Sequence, residues 1–188
     1  MRKFNIERPD RRIEDSIRHK IDNLNKPKGS LGRLESIAMQ ICLIEQTLHH
    51  ILLGADHGIE REGVSVSPRE VTWQQMVNFT KGGGGVNMFC RQHGFKLHIV
   101  DMGVDHDLGG YPAITDRKIA RGTADFLYGP AMSLEQMDKA VETGDELAAM
   151  CLDEGSDIIC IGEMGIGNTS ASSVWMSELG GVALDECK

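Results

Sequence analysis

The sequence predicts an α/β fold: a partial doubly wound parallel sheet of Rossmann-like type with an N-terminal helical subdomain. Three observations support this. Three short apolar runs are separated by stretches long enough for helices, each run ends in a polar or glycine-containing turn, and the first 48 residues carry apolar side chains at helical spacing. Strands of this kind alternating with helices are typical of a sheet covered on both faces. We predict a helical subdomain over residues 1–48 and the first part of an α/β domain over residues 49–188.

Two helices are predicted before the first strand. The first, over residues 10–24, has its apolar side chains four, four and three residues apart, which places on one face Ile13, Ile17, Ile21 and Leu24. A proline and a glycine within residues 25–29 then end the helix. Ser30 is predicted to cap a second helix that continues to Leu48.

Apolar runs predict three strands, at His50–Ala55, Leu97–Met102 and Asp157–Ile161. Between the first two, residues 71–93 are predicted to form one long helix with four consecutive glycines, Gly82–Gly85, in its middle. Each of these costs about 1 kcal/mol against alanine in a helix, so close packing against this backbone is expected.

The second predicted strand is followed by a glycine-rich excursion, Gly103–Pro130, before the chain returns to helical spacing. Ser133 is predicted to cap the next helix, over residues 134–154, because a serine side chain can accept a hydrogen bond from the first turn.

Each strand is followed by or ends near an acidic side chain: Asp56 beside His57, then Asp101, then Glu163. The carboxyl ends of parallel strands share one edge, where ligands bind in open α/β sheets. We therefore predict that Asp101 contributes to substrate binding and that Glu163 is catalytic. Each carboxylate could instead cap a helix or form a local ion pair.

Residues Gly162–Ser170 combine closely spaced glycines with Asn168, Thr169 and a serine after a buried strand. The spacing G-x-x-G-x-G matches neither a dinucleotide fingerprint nor a Walker loop. It is still typical of a strand–turn–helix junction that binds a phosphate through backbone N–H groups and hydroxyls. A tight turn with an ordinary helix cap is the alternative.

Composition excludes several functional classes. The net charge is −8 without a basic run, so no nucleic-acid partner is expected. No apolar run approaches eighteen residues, so no membrane span is expected. The five cysteines are scattered without a C-x-x-C pair, which argues against a disulfide framework and a zinc site. We expect no metal, no cofactor and a cytoplasmic location.

Several segments, in order, match a known family pattern: NKPKGSLGRLE (Asn25–Glu35), GADHG (Gly54–Gly58), SPREVTWQ (Ser67–Gln74), GGGGVN (Gly82–Asn87), VDMGV (Val100–Val104), KIARGTA (Lys118–Ala124), GPAM (Gly129–Met132) and GEMGIGNT (Gly162–Thr169). On these landmarks the chain resembles the nicotinate-nucleotide–dimethylbenzimidazole phosphoribosyltransferase family. The resemblance covers nearly the whole chain but only about the first half of the family's length.

The resemblance implies transfer of phosphoribose from nicotinate mononucleotide to 5,6-dimethylbenzimidazole or a related azole, giving α-ribazole 5′-phosphate for cobalamin. It places Ser67 and Gln74 at the pocket for the aromatic base. It places around the ribose and phosphate Glu163, Met164, Gly165, Ile166, Gly167, Asn168 and Thr169.

By the same resemblance, the principal catalytic base and part of the phosphate site lie beyond Lys188, and the chain alone is expected to have little or no activity. Two alternatives remain open: an azole- or nucleotide-binding protein without catalysis, and half of an enzyme completed by another chain. An unfinished sheet exposes an edge strand, so a homodimer is also expected.

Overall fold

A computed structural model of the chain describes residues 10–23, 27–44 and 47–187. The chain divides into two compact units, one ending at Thr47 and one starting at Leu48. The first contains helices α1 (Glu14–Asp22) and α2 (Arg33–Cys42). Both are shorter than predicted, and the predicted end of the first, Leu24, lies outside the described residues. Gly32 rather than Ser30 is the N-cap of α2, because residues 27–32 form consecutive turns.

The second unit contains a four-stranded parallel sheet formed by β1 (Leu48–Ala55), β2 (Phe95–Gly103), β3 (Ile114–Asp116) and β4 (Ile158–Met164). The strand order is β3-β2-β1-β4. Strands β2 and β3 therefore lie on one side of β1, and β4 lies on its other side. This reversal is the topological switch point of a doubly wound fold. The predicted α/β class is confirmed.

Helices cover both faces of the sheet. The α-helices among the described residues of this unit are α3 (Glu70–Thr80), α4 (Gly85–His93), α5 (Leu134–Asp153) and α6 (Asn168–Gly180). Neighbouring residues of β2 point to opposite faces: Ile99 packs with Met76 of α3, and Val100 packs with Leu147 and Cys151 of α5. Each face therefore has its own core.

The predicted long helix over residues 71–93 is wrong, because it divides into α3 and α4. The chain leaves the helix at Lys81, and the side chain of Asn87 joins the two segments: its Oδ1 accepts from the Gly84 N–H at 3.0 Å, and its Nδ2 donates to the Phe79 carbonyl at 2.9 Å. A run of glycines holds a helix too weakly to compete with these bonds.

The predicted cap at Ser133 is confirmed, since its Oγ accepts from the Gln136 N–H at 3.2 Å and its own N–H donates to Gln136 Oε1 at 2.8 Å. Strand β3 was not predicted, because three residues within the glycine-rich excursion show no usable periodicity. No helix among the described residues is long and apolar enough to cross a membrane.

Candidate functional site

The candidate site lies at the switch point, where the carboxyl ends of β1 and β4 are neighbours. His57 follows β1, and Glu163 is the penultimate residue of β4. Glu163 Oε1 lies 3.0 Å from His57 Nε2, which donates to it when that nitrogen carries the proton. The Nδ2 of Asn168, from the start of α6, donates to the other oxygen, Glu163 Oε2. One carboxylate thus joins three elements at the sheet edge.

The glycine turn after β4 depends on two glycines. A Cβ at Gly165 would lie 2.1 Å from the Ala55 carbonyl oxygen and 2.6 Å from Glu163 Oε1, so only glycine fits between the strand ends. Gly167 has a φ of +90° and is the N-cap of α6, a conformation that favours glycine. The observed G-x-G spacing therefore lets the backbone pass β1 closely and then start the helix.

Helix α3 supports this turn from the side. The Ile166 N–H donates to the hydroxyl of Thr72, which is fully buried, at 3.1 Å. Met164, the last residue of β4, packs against the core beneath α3. The turn is therefore held by both backbone and core contacts, which fixes the position of the α6 N-terminus.

The N-terminus of α6 has the polarity that an anion requires. Its first turn contains Asn168, Thr169 and Ser170 and no acidic residue. The Thr169 hydroxyl lies 3.3 Å from Asn168 Oδ1 and is exposed. Because backbone dipoles leave partial positive charge at a helix N-terminus, this end of a thirteen-residue helix favours a negatively charged group.

An open cavity of about 840 Å³ lies beside the carboxylate. Its apolar lining includes Phe126, Met132 and Trp175, and its polar lining comes from His57, Thr123, Glu163, Asn168 and Ser172. Such a combination of apolar walls with a few convergent polar groups is typical of small-molecule sites, and the volume lies within their usual range of roughly 300–1,000 Å³.

The structure brings the predicted residues Glu163 to Thr169 together in one turn but does not bring the other three to this cavity. Gln74 is exposed on α3, and Ser67 lies in the loop before it. Asp101 is 2% exposed: its Oδ1 accepts from the N–H groups of Gly103 and Val104, and its Oδ2 lies 2.8 Å from Lys118 Nζ. The binding roles of Ser67, Gln74 and Asp101 stay predictions.

Sequence patterns did not single out Thr123, Phe126 or Trp175 as lining residues. The first two lie in the long excursion, where no periodicity indicates which side chain faces inward. Trp175 lies on α6, and the one available signal was its rarity, because the chain has two tryptophans. Asp56, the acidic residue that follows β1, has a structural role. Its buried Oδ2 accepts a hydrogen bond from the Asp105 N–H at 2.7 Å.

Comparison with known proteins identifies the family of this chain. The phosphoribosyltransferase family model matches residues 6–188. A nicotinate-nucleotide–dimethylbenzimidazole phosphoribosyltransferase of Phocaeicola vulgatus is 53% identical over 194 residues, covering 100% of this chain and 56% of the relative. The same enzyme of Aromatoleum aromaticum is 43% identical, covering 96% of this chain and 55% of the relative.

A crystal structure of the corresponding enzyme from Thermus thermophilus matches with a TM-score of 0.76 and 34% identity, over 92% of this chain and 55% of that one. The chain therefore spans about half the length of the curated relatives that it matches. From the family match, the full-chain identity and the shared fold, the chain belongs to the nicotinate-nucleotide–dimethylbenzimidazole phosphoribosyltransferase family.

Proposed function

We propose that this chain provides the ribose- and phosphate-binding part of an enzyme that transfers phosphoribose from nicotinate mononucleotide to 5,6-dimethylbenzimidazole or a related azole. The product is α-ribazole 5′-phosphate, used for the lower ligand of cobalamin. The observation that carries the proposal is the Glu163 carboxylate, held by His57 and Asn168 at the edge of the 840 Å³ cavity and next to the α6 N-terminus.

The chemistry of pentosyl transfer explains why a carboxylate belongs at this place. As nicotinate leaves C1′, the sugar becomes positively charged in the transition state. A fixed negative charge nearby stabilises that state more than the ground state. Glu163 can supply this charge because its two oxygens are oriented by His57 and Asn168 before any substrate binds.

The two ends of the substrate fit the remaining features. The 5′-phosphate would bind at the turn Gly165–Thr169, with backbone N–H groups and the Thr169 hydroxyl as donors. The flat azole would stack against the apolar wall that contains Phe126 and Trp175. Ser67 and Gln74 remain our candidates for contacts with the base once the complete site is assembled.

The incoming azole must lose a ring proton, which requires a general base. The family resemblance assigns the principal base to the length that this chain does not span. Losing such a base typically lowers the rate by about 10²–10⁴-fold, so we expect the chain alone to form product at no more than that residual rate.

The test is product formation from nicotinate mononucleotide and dimethylbenzimidazole, with and without a fragment covering the remaining length of the Phocaeicola vulgatus relative. We expect product only when both pieces are present. Normal family turnover by the chain alone would refute the account of the base. If both pieces give no product while the chain still binds the azole, a non-catalytic binding protein becomes the better description.

Within the reconstituted pair, Glu163→Gln tests the carboxylate directly. We expect the turnover number to fall about 10²–10³-fold, because an amide of the same shape keeps the packing but removes the charge. Glu178→Gln is the matched control, since Glu178 is exposed on the adjoining helix α6 and does not line the cavity. Equal activity of the two variants would remove Glu163 from the mechanism.

We also propose that the chain is a cytoplasmic homodimer. All five cysteines are free thiols, which suits a reducing compartment.

The proposed dimer is supported by the edge of the sheet. Among the described residues β4 is an edge strand, and its Ile161 is 76% exposed. Apolar edge strands favour pairing with another chain. We expect Ile161→Lys to give a monomer in sedimentation velocity, while Val66→Lys, a fully exposed position elsewhere, leaves the dimer intact. A monomeric wild type would contradict the proposal.

A further inference from the structure

A second cluster of reactive side chains lies away from the candidate site, at the other end of the sheet. His49 is the second residue of β1, His98 lies in the first half of β2, and Cys151 is near the end of α5. His49 is 2% exposed, Cys151 is completely buried, and the His98 side chain is 12% exposed. Their ligand atoms lie within 4.8 Å of one another. The proposed transfer reaction uses none of these groups.

The distances within the cluster approach those of a tetrahedral metal site. Bonds of about 2.0–2.1 Å from zinc to nitrogen place two such ligand atoms roughly 3.3 Å apart. His49 Nδ1 and His98 Nε2 are 3.3 Å apart. Glu154 Oε2 lies 3.7 Å from His49 Nδ1 and 3.8 Å from His98 Nε2. Relative to these two nitrogens, the carboxylate would need to move by a few tenths of an ångström. The Cys151 sulfur lies within 4.8 Å of the histidine ligand atoms but not of Glu154, so the sulfur and the carboxylate must approach each other by a larger shift.

We propose that His49, His98, Cys151 and Glu154 form a structural zinc site. The thiolate and the carboxylate would together neutralise the dication, and two neutral imidazoles would complete four protein ligands. Zinc prefers such nitrogen and sulfur donors, and a set of four protein ligands leaves no open position for a substrate. The ion would join β1, β2 and the end of α5.

The sequence predicted no metal because the ligand spacing fits no zinc pattern. The two histidines come from neighbouring strands. His49 of β1 pairs with Lys96 of β2, and His98 of β2 pairs with Ile51 of β1. The histidines are therefore two positions apart in the register, and their side chains lie on the same face of the sheet. Cys151 and Glu154 are three residues apart at the end of one helix, so they too lie on one side. Only the tertiary structure assembles the group.

A metal-free explanation makes a different prediction. The two histidines can form a hydrogen bond with each other, and Lys96 Nζ lies 2.7 Å from Glu154 Oε2, so these polar groups have partners without an ion. In that case Cys151 is an ordinary core residue. The two explanations differ in whether the Cys151 sulfur bonds to an added metal.

The experiment uses the untagged 188-residue chain, stripped with a chelator and then titrated with Co²⁺ or Zn²⁺. We expect a metal content of one ion per chain, measured by elemental mass spectrometry. With cobalt we also expect a near-ultraviolet sulfur-to-metal charge-transfer band and the visible bands of a tetrahedral site. Zinc should raise the melting temperature. A wild-type chain that binds no ion, or binds cobalt without a sulfur band, would overturn the proposal.

Variants assign the site to these residues. Cys151→Ser should abolish the charge-transfer band and weaken zinc binding by about 100-fold or more, since even outer partners of a metal ligand contribute roughly 10–100-fold. Cys90→Ser is the matched control, because Cys90 is also buried but lies on α4 outside the cluster. His98→Gln keeps the sulfur and covers the case in which Cys151→Ser does not fold. Unchanged zinc binding in His98→Gln would refute the assignment.

Discussion

Two acidic side chains at the carboxyl edge of the sheet occupy similar places in the sequence but different environments in the structure. Asp101 of β2 is 2% exposed, and donors from its own loop and from Lys118 occupy both of its oxygens. Glu163 of β4 has a side chain that is 37% exposed, and it borders an open cavity. A carboxylate at a strand end can therefore stabilise the fold or remain available to a ligand, depending on how many protein donors it already has.

The largest effect on stability should come from Asp101→Asn. The substitution leaves the Lys118 ammonium without its carboxylate partner inside the protein, and breaking a buried ion pair costs about 3–5 kcal/mol. Because the Lys118 side chain is 21% exposed, we expect the lower end, about 3 kcal/mol, in the free energy of unfolding. Denaturant titration of both proteins measures it.

Asp107→Asn is the control for Asp101→Asn. Asp107 lies in the loop that follows β2 and accepts from the Gly109 N–H at 2.9 Å, but it is exposed. Changes at exposed positions usually stay within about 0.5 kcal/mol. If both variants lost the same stability, burial of Asp101 would not explain the role that we assign to it.

A change of intermediate size is expected at the turn between β4 and α6. Gly165→Ala would place a methyl group 2.1 Å from the Ala55 carbonyl oxygen, and overpacking of this kind costs about 1–3 kcal/mol. The displaced turn should also move Glu163, so the reconstituted enzyme should lose activity. The measurements are the free energy of unfolding and the turnover number.

Gly144→Ala provides a control of opposite sign. Gly144 lies in the middle of α5, and a Cβ there would meet nothing within 4 Å. Alanine is favoured over glycine in a helix by about 0.8–1.0 kcal/mol, so this variant should be more stable than the wild type. A Gly165→Ala chain as stable as Gly144→Ala would mean that the turn can relax at no cost.

The sequence allowed the fold to be predicted where its signals are local. Apolar runs identified β1, β2 and β4, and Ser133 identified the start of α5, because burial and capping depend on neighbouring residues. Strand β3, Ile114–Asp116, could not be predicted, since its pairing with β2 is set by distant residues. The break between α3 and α4 at Lys81–Gly84 was missed, because helix propensity alone does not show whether tertiary contacts outweigh the weak helical tendency of a glycine run.

The candidate site divides in the same way. The glycines and small polar residues around Asn168 indicated a ligand-binding turn, because that backbone geometry has local requirements. The contacts of Glu163 with His57, 106 residues away, depend on the strand order. The apolar wall with Phe126 could not be predicted, because it lies in an irregular segment. Sequence therefore located the turn, and only the fold showed which acidic residue faces the cavity.

Of the two strand-end carboxylates, Glu163 should contribute less to stability, and Glu163→Gln tests this because it makes the same chemical change as Asp101→Asn. Glu163 is partly exposed, and exposed ion pairs contribute about 0–1 kcal/mol. The amide oxygen can still accept a hydrogen bond from His57 or Asn168. We therefore expect the free energy of unfolding to fall by less than about 1 kcal/mol.

The contrast between the two amide variants separates stability from catalysis. Asp101→Asn should lose stability, and Glu163→Gln should lose turnover while folding normally. If Glu163→Gln proved as destabilising as Asp101→Asn, its contacts with His57 and Asn168 would be structural. A loss of turnover could then not be attributed to the missing negative charge. A Glu163→Gln chain that folds normally but gives an inactive reconstituted pair would, by contrast, identify the negative charge as the property that the site has lost, because shape and packing are unchanged.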